Sequence, residues 1–444
     1  MKTANSGLFT DLYELTMVQA YLEEDLTKEA VFSLYVRDLP ERRNYLLACG
    51  QQEAIQAIES FRFDDESIDY LRTLDLFRPS FLDWLTNFRF QGTIRAVAEG
   101  TPIFADEPIL EVMAPLPQAQ LLETFLMNQV HLQTTLASKA TRILEAAAGK
   151  PVIDFGARRT HGMDAALQGS LAFYKAGIEA TSNVLAGKRF GIPVTGTMAH
   201  SYIQTHESEK EAFRSFASQY PETILLIDTY DTLEAVDRIG ELASELGDAF
   251  RIRGVRIDSG DLEELSRAVR QKLNSHELES VGIVVSGGLD EEKIAALVAS
   301  KVPIDGFGVG THMGVSSDAP SLNIVYKLCS YDGKGATKLS PGKPILPGAK
   351  QIHRIINDST ATHDIIGRYD ESLPGSPLLK TAMRHGGMVH SWKQSLSSIR
   401  AHCNLQRSYL PDTVRSIEPA DPPYDVRVSP DLEAYTASVE REIS

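Results

Sequence analysis

The sequence predicts an α/β protein in which an N-terminal α+β domain precedes an incomplete α/β barrel and a closing segment returns to the first domain. Three observations carry this. The chain has 444 residues, which at roughly 100 to 200 residues per domain calls for two or three domains with substantial cores. After Lys150, short apolar β-runs alternate with helical stretches of roughly 10 to 15 residues, the rhythm of βα units on a parallel sheet. Those runs end in Gly, Asp, Ser, Arg or His, where barrel enzymes place their chemistry.

Residues 10–23 (TDLYELTMVQAYLE) open with Thr10 followed by Asp11 and Glu14 and continue at helical spacing, so a helix is expected near the start. AVFSLYVRDLP (30–40) reads as a strand ending at a turn proline, and residues 91–115 as several short strands broken by Gly and Pro. Gln118 to Gly149 is periodic and reads as a helix or helix pair. The barrel strands are expected in PVIDFGARR (151–159), PVTGTMAHS (193–201), TILLIDTY (223–230), RGVRIDSGD (253–261), VGIVVSGGLD (281–290) and PIDGFGVGT (303–311). From about Ser330 the pattern loosens. The expected division is therefore 1–150, 151–330 and 331–444, and the acidic end of the chain offers no chemistry of its own.

Sixty acidic against 44 basic side chains give a formal charge of −16, which argues against nucleic acid and against anionic membranes as partners. The N-terminus lacks the apolar run of a signal peptide and no segment reaches the roughly 20 apolar residues of a membrane span, so a cytoplasmic protein is expected. Cys49, Cys329 and Cys403 are an odd count without a CxxC pair, which indicates neither a disulfide framework nor a zinc knuckle.

Four segments carry candidate chemistry. In FGARRTHGMDAA (155–166), Arg158 and Arg159 stand together at a strand end ahead of a helix, where paired guanidiniums clamp phosphate. In GTMAHSY (196–202), Gly196 and Thr197 precede His200, a candidate acid, base or nucleophile at the barrel mouth. A lone histidine is more often structural, and His161, His206 and His312 compete with it. RIDSGDL (256–262) sets Arg256 and Asp258 two apart on one strand face, with Asp261 beyond the turn. That set can hold a ligand carboxylate, ribose hydroxyls or a hydrated magnesium ion, or it can be an internal ion pair. SGGLD (286–290) and GFGVGTHM (306–313) supply Gly287, Gly288, Gly308, Gly310 and Thr311, an anion cradle in the late loops where such barrels bind phosphate. Tyr13, in TDLYELTM, has no local evidence beyond core packing.

Taken together, TDLYELTM, FGARRTHGMDAA, GTMAHSY, VRIDSGDL, SGGLDE, FGVGTHM, KLSPGK and LPGAKQ resemble the nicotinate phosphoribosyltransferase family over residues 10 to about 351. The resemblance implies the open barrel of the type II phosphoribosyltransferases and synthesis of nicotinate mononucleotide and pyrophosphate from nicotinate and phosphoribosyl pyrophosphate, coupled to ATP hydrolysis, in NAD salvage. It implies that His200 is transiently phosphorylated, that Thr197 and Arg256 surround the nicotinate carboxylate, and that Tyr13 stacks on the pyridine ring from the neighbouring subunit of a homodimer. The late-loop glycines and Thr311 would hold the 5-phosphate, Arg158 and Arg159 other phosphate oxygens, and Asp258 and Asp261 ribose hydroxyls and magnesium through water. Longer relatives with cysteine-rich metal sites differ from this chain, which has only Cys403 near its end. The rival readings are a nicotinamide phosphoribosyltransferase and a catalytically silent nucleotide-binding homologue. Quinolinate phosphoribosyltransferase would demand more cations, and an aldolase or isomerase barrel would want a strand-end lysine or carboxylate base.

Overall fold

The structure, a computed structural model, describes residues 6–339 and 345–443, so most of the KLSPGK motif lies outside the described residues. The chain forms two compact units, one of residues 139–318 and one of residues 1–138 with 319–444.

In the 139–318 unit, six strands form one parallel sheet: β1 (Val152–Asp154), β2 (Ala180–Thr181), β3 (Ile224–Leu226), β4 (Gly254–Ile257), β5 (Gly282–Val285) and β6 (Gly306–Val309). Their spatial order is β2-β1-β6-β5-β4-β3. That is the circular succession of a barrel cut once, between β2 and β3. Strands covered on both faces are largely apolar, and Val255, Ile257, Ile283, Val285, Phe307 and Val309 are all fully buried. The helices that follow β3, β4 and β5 begin at aspartates that cap them. Asp231 accepts from the amides of Leu233 and Glu234, Asp261 from those of Glu263 and Glu264, and Asp290 from that of Lys293, all at 2.8–3.1 Å.

One expected strand is absent. Residues 193–201 make a single parallel bridge, Thr181 to Val194, and a short helix starts at His200. The strand in that part of the order is the two-residue β2. The Thr181 amide donates to Pro193 O and Thr195 N donates to Thr181 O, after which no ladder forms. Pro193 has no N–H to offer and Gly196 no side chain to pack. The segment lies along β2 without extending the sheet.

The other unit is built on a seven-stranded antiparallel sheet. In spatial order it runs Lys334–Gly335, Ile324–Tyr331, Glu29–Val36, Pro108–Pro115, Thr93–Ala96, Lys380–Arg384 and Gly387–Met388. Glu29–Val36 thus lies between an N-terminal neighbour and one from beyond residue 319, so the closing segment returns to the N-terminal fold. The stretch 118–149 falls into two helices, Leu116–Gln120 and Glu123–Ala146. The first long helix is Leu12–Glu23, with Asp11 rather than Thr10 at its N-cap and no side-chain cap bond. The Thr10 hydroxyl instead donates to Glu14 at 2.6 Å. All three cysteines are buried, and no helix among the described residues is long and apolar enough to cross a membrane.

Candidate active site

The ends of β4 and β5 and the segment beside β2 build the centre of the site. Arg256 is the penultimate residue of β4 and Asp258 follows the strand, so period two puts both on one face. The guanidinium Nη2 lies 4.0 Å from Asp258 Oδ1, and Nη1 donates to the Thr197 hydroxyl at 2.5 Å. Burial holds Arg256 below its usual pKa against the opposing pull of Asp258 and Asp228, with Arg158 adding to the depression. Its Nε is buried with no hydrogen-bond partner. A buried unsatisfied guanidinium donor costs free energy unless an acceptor arrives, and a carboxylate suits its fork geometry.

Asp258 is held from two sides. Ser286, just past β5, donates its hydroxyl to Asp258 Oδ1. The Asp258 amide donates to Asp228 Oδ2 at 3.0 Å, and the Ser259 hydroxyl donates to the same oxygen at 2.6 Å. Asp228, which follows β3, keeps Oδ1 buried with no hydrogen-bond partner. The carbonyl of Asp258 fixes the next loop, because a Cβ on Gly287 would fall 1.8 Å from it and Gly287 has φ +88. Only glycine fits there. The same logic holds at Gly308, where a Cβ would meet the Phe155 ring at 2.4 Å.

His200 is the first residue of helix His200–Gln204, half-buried, with Nδ1 3.1 Å from Thr229 Oγ1. Phe155, Arg158, Thr197, His200, Arg256 and Asp258 line one cavity of about 490 Å³. The other histidines are spent or placed elsewhere. His206 Nδ1 sits 2.8 Å from Tyr202 O, His312 Nδ1 sits 2.9 Å from Ser317 Oγ, and His161 is exposed. A larger cavity, about 920 Å³, shares only Gly196 and Thr197 with the site and otherwise runs along Phe216, Tyr220, Glu222 and Arg251.

The remaining expected residues are placed around this centre. Arg158 and Arg159 occupy the 3-10 turn Ala157–Arg159 and are exposed, with Arg158 alone of the pair on the cavity wall. A second cavity of about 410 Å³ is lined by Asp258, Asp261, Gly287 and Lys293, although Asp261 Oδ1 is already engaged as a helix cap. Gly288 has φ +60, and its carbonyl accepts from Lys293 Nζ at 2.8 Å. Gly310 and Thr311 lead into the short helix Thr311–Gly314, with Thr311 exposed. Tyr13 belongs to the other unit, on helix Leu12–Glu23, and is 46% exposed. Burial and then Glu123 push its hydroxyl well above the usual phenol value.

Sequence reasoning did not single out Asp228, Ser286 or Asp154. Asp154, at the end of β1, is buried and accepts from Gly156 N, Ser170 Oγ and Thr181 Oγ1. Burial raises its pKa against those three bonds. It shapes the Arg158 turn and joins β1 to β2. The only sequence signal for Asp228 and Asp154 was their position at strand ends.

Among the described residues no group of three or more His, Cys, Asp or Glu side chains is gathered to hold a metal ion. Asp228 and Asp258 are nonetheless suited to magnesium, which is typically held by one or two carboxylates together with substrate phosphates and water. The buried, unpartnered Asp228 Oδ1 fits that donor set.

Comparison with known proteins points to one family. The model described as the nicotinate phosphoribosyltransferase N-terminal domain matches residues 8–131, and that of the nicotinate phosphoribosyltransferase family matches residues 151–369. The chain is 50% identical over 423 residues to nicotinate phosphoribosyltransferase pncB2 of Mycobacterium tuberculosis, covering 95% of this chain and 91% of that one. It is 39% identical to the nicotinate phosphoribosyltransferase of Bacillus subtilis, covering 84% and 78%. The crystal structure of human nicotinic acid phosphoribosyltransferase superposes with a TM-score of 0.85 at 27% identity, covering 97% of this chain and 99% of that one.

Proposed function

The chain belongs to the nicotinate phosphoribosyltransferase family, and from that premise we propose that it joins nicotinate to the ribose C1 of phosphoribosyl pyrophosphate, releasing pyrophosphate, with ATP hydrolysed to ADP and phosphate. The observation that carries the reading is Arg256, a buried cation with one unsatisfied donor, held by Thr197 in the same cavity as His200. Arg256 and the Thr197 hydroxyl bind the nicotinate carboxylate and so orient the ring nitrogen towards C1. Tyr13, presented by the neighbouring subunit of a homodimer, stacks on the pyridine.

Displacement at C1 passes through an oxocarbenium-like state, so the site must stabilise negative charge on the departing pyrophosphate while the two reactants stay aligned. Arg158 and Arg159 supply that stabilisation from β1's exit turn. The glycine loops after β5 and β6, with Thr311, hold the 5-phosphate and so fix the ribose. Asp258 orients the ribose hydroxyls, with its own position set by Ser286 and Asp228. Asp228, Asp258 and Asp261 would hold magnesium, which would supply positive charge to neutralise the pyrophosphate.

His200 accepts the phosphoryl group of ATP, and its phosphorylated form favours a state that grips phosphoribosyl pyrophosphate more tightly. The test is product chromatography with nicotinate, nicotinamide or quinolinate, each with and without ATP. Nicotinate mononucleotide formed faster with ATP is expected, and product from nicotinamide alone refutes the assignment. His200→Ala is expected to lose ATP stimulation while keeping weak ATP-independent synthesis. Equal stimulation of variant and wild type removes His200 from the coupling.

A further inference from the structure

We infer that Lys139 is a positioning residue whose ammonium ties the two late glycine loops together and so sets the grip on the 5-phosphate of phosphoribosyl pyrophosphate. The inference rests on the assignment of those loops to that phosphate. Lys139 lies in helix Glu123–Ala146 with its side chain only 1% exposed. Its Nζ contacts Glu291 Oε2 and stands 2.8 Å from Asp318 Oδ1. Arg142, one turn further along, donates from Nε to Glu291 Oε1 at 2.8 Å. Two cations and two carboxylates form a charge-balanced cluster inside the 139–318 unit.

The two carboxylates stand at equivalent places. Glu291 opens the helix after β5, directly behind the loop of Gly287 and Gly288. Lys293, in that helix's first turn, is bonded to Gly288 O at 2.8 Å, so the loop and the helix start move together. Asp318 ends a run of turns that begins at the other loop. Gly314 N donates to Gly310 O, Val315 N to Thr311 O and Ser317 N to His312 O, all at 2.9–3.1 Å. One buried ammonium therefore spans from the first phosphate loop to the second. Buried ion clusters add little net stability over apolar replacements of similar volume, but they are directional. Here the direction is the separation of two anion-binding loops, which must match one phosphate.

The decisive variant is Asp318→Asn, which removes the charge that ties Lys139 to the second loop while leaving Lys139 paired to Glu291. Steady-state kinetics should show KM for phosphoribosyl pyrophosphate raised about tenfold, with kcat and KM for nicotinate within about twofold and an unfolding midpoint close to wild type. Asp318→Glu, which keeps the carboxylate, should restore most of the affinity. Lys139→Met releases both loops and should give a larger rise; if it fails to fold, Asp318→Asn still decides. Thr311→Ala is measured alongside. Raised KM in Thr311→Ala with unchanged KM in folded Asp318→Asn overturns the tie but not the loop assignment. Unchanged KM in both overturns the assignment and the inference with it. A general loss, with kcat and both KM values worsened together, makes the cluster merely structural and also refutes the proposal.

Discussion

Glu14, beside Tyr13, should make the protein less stable as pH rises towards neutrality. It has no exposed surface. Its Oε1 accepts from the amide and hydroxyl of Thr124, and Oε2 accepts from the Thr10 hydroxyl. Burial outweighs those bonds and pushes the carboxyl up from 4.5 to about 7, with Glu123 adding to the rise. The folded chain therefore keeps a proton that the unfolded chain releases near the ordinary carboxylate value. Its contribution is fully present below that value and is lost as pH rises to about 7. At about 1.4 kcal/mol per pH unit the interval amounts to about 3 kcal/mol. Glu14→Gln removes the titration and keeps the shape. The amide oxygen can accept from Thr124 N while the NH2 donates to Thr10 Oγ1. Unfolding of both proteins should be followed from pH 5 to 8. Between pH 5 and 8 the variant should gain about 2.5 kcal/mol on wild type. At roughly 2 °C per kcal/mol for a unit of this size, the Tm difference should move by about 5 °C in the variant's favour. Parallel stability curves across the range refute the argument, because they would mean that Glu14 titrates identically in the folded and unfolded chains.

Two further outcomes test the site directly. Arg256→Gln removes a charge-assisted contact of about 1.5–3 kcal/mol, so KM for nicotinate should rise roughly 10- to 150-fold; an unchanged KM in steady-state assays would take Arg256 out of carboxylate binding. Gly287→Ala puts a methyl group 1.8 Å from Asp258 O at a φ of +88, so Asp258 or the loop must shift, and a displacement near 1 Å should lower kcat on the order of 100-fold. Turnover within twofold of wild type would show that the loop relaxes without moving Asp258.

What the sequence made legible was what local pattern controls. Apolar runs marked β5 and β6, and β4 apart from Arg256, because strands buried on both faces need no polar alternation. Asp261 carries an expectation of ligand contact, and its side chain also caps the helix after β4, a role that its place just ahead of a helical stretch signals on its own. Asp228 and Lys139 went unnoticed for a different reason. Asp228 matters because it accepts from the amide of Asp258, 30 residues away, and Lys139 because it meets Glu291, 152 residues away. No local signal separates such a lysine from any other in a long helix.

The one misplaced strand is also the most informative. PVTGTMAHS has the composition of a βα unit's strand, yet its proline and glycine prevent a ladder beyond Val194. A regular strand there would extend the sheet beyond β2, and the interior of a closed barrel of this kind is filled by its own side chains. Left irregular, the segment brings Thr197 to Arg256 and delivers His200 to the cavity wall. The feature that defeats strand periodicity is thus the one that makes room for a ligand. Arg256 follows the same logic. In a closed barrel its guanidinium would require a full set of internal acceptors, whereas here it has Thr197 and a distant Asp258, with Nε left for whatever enters.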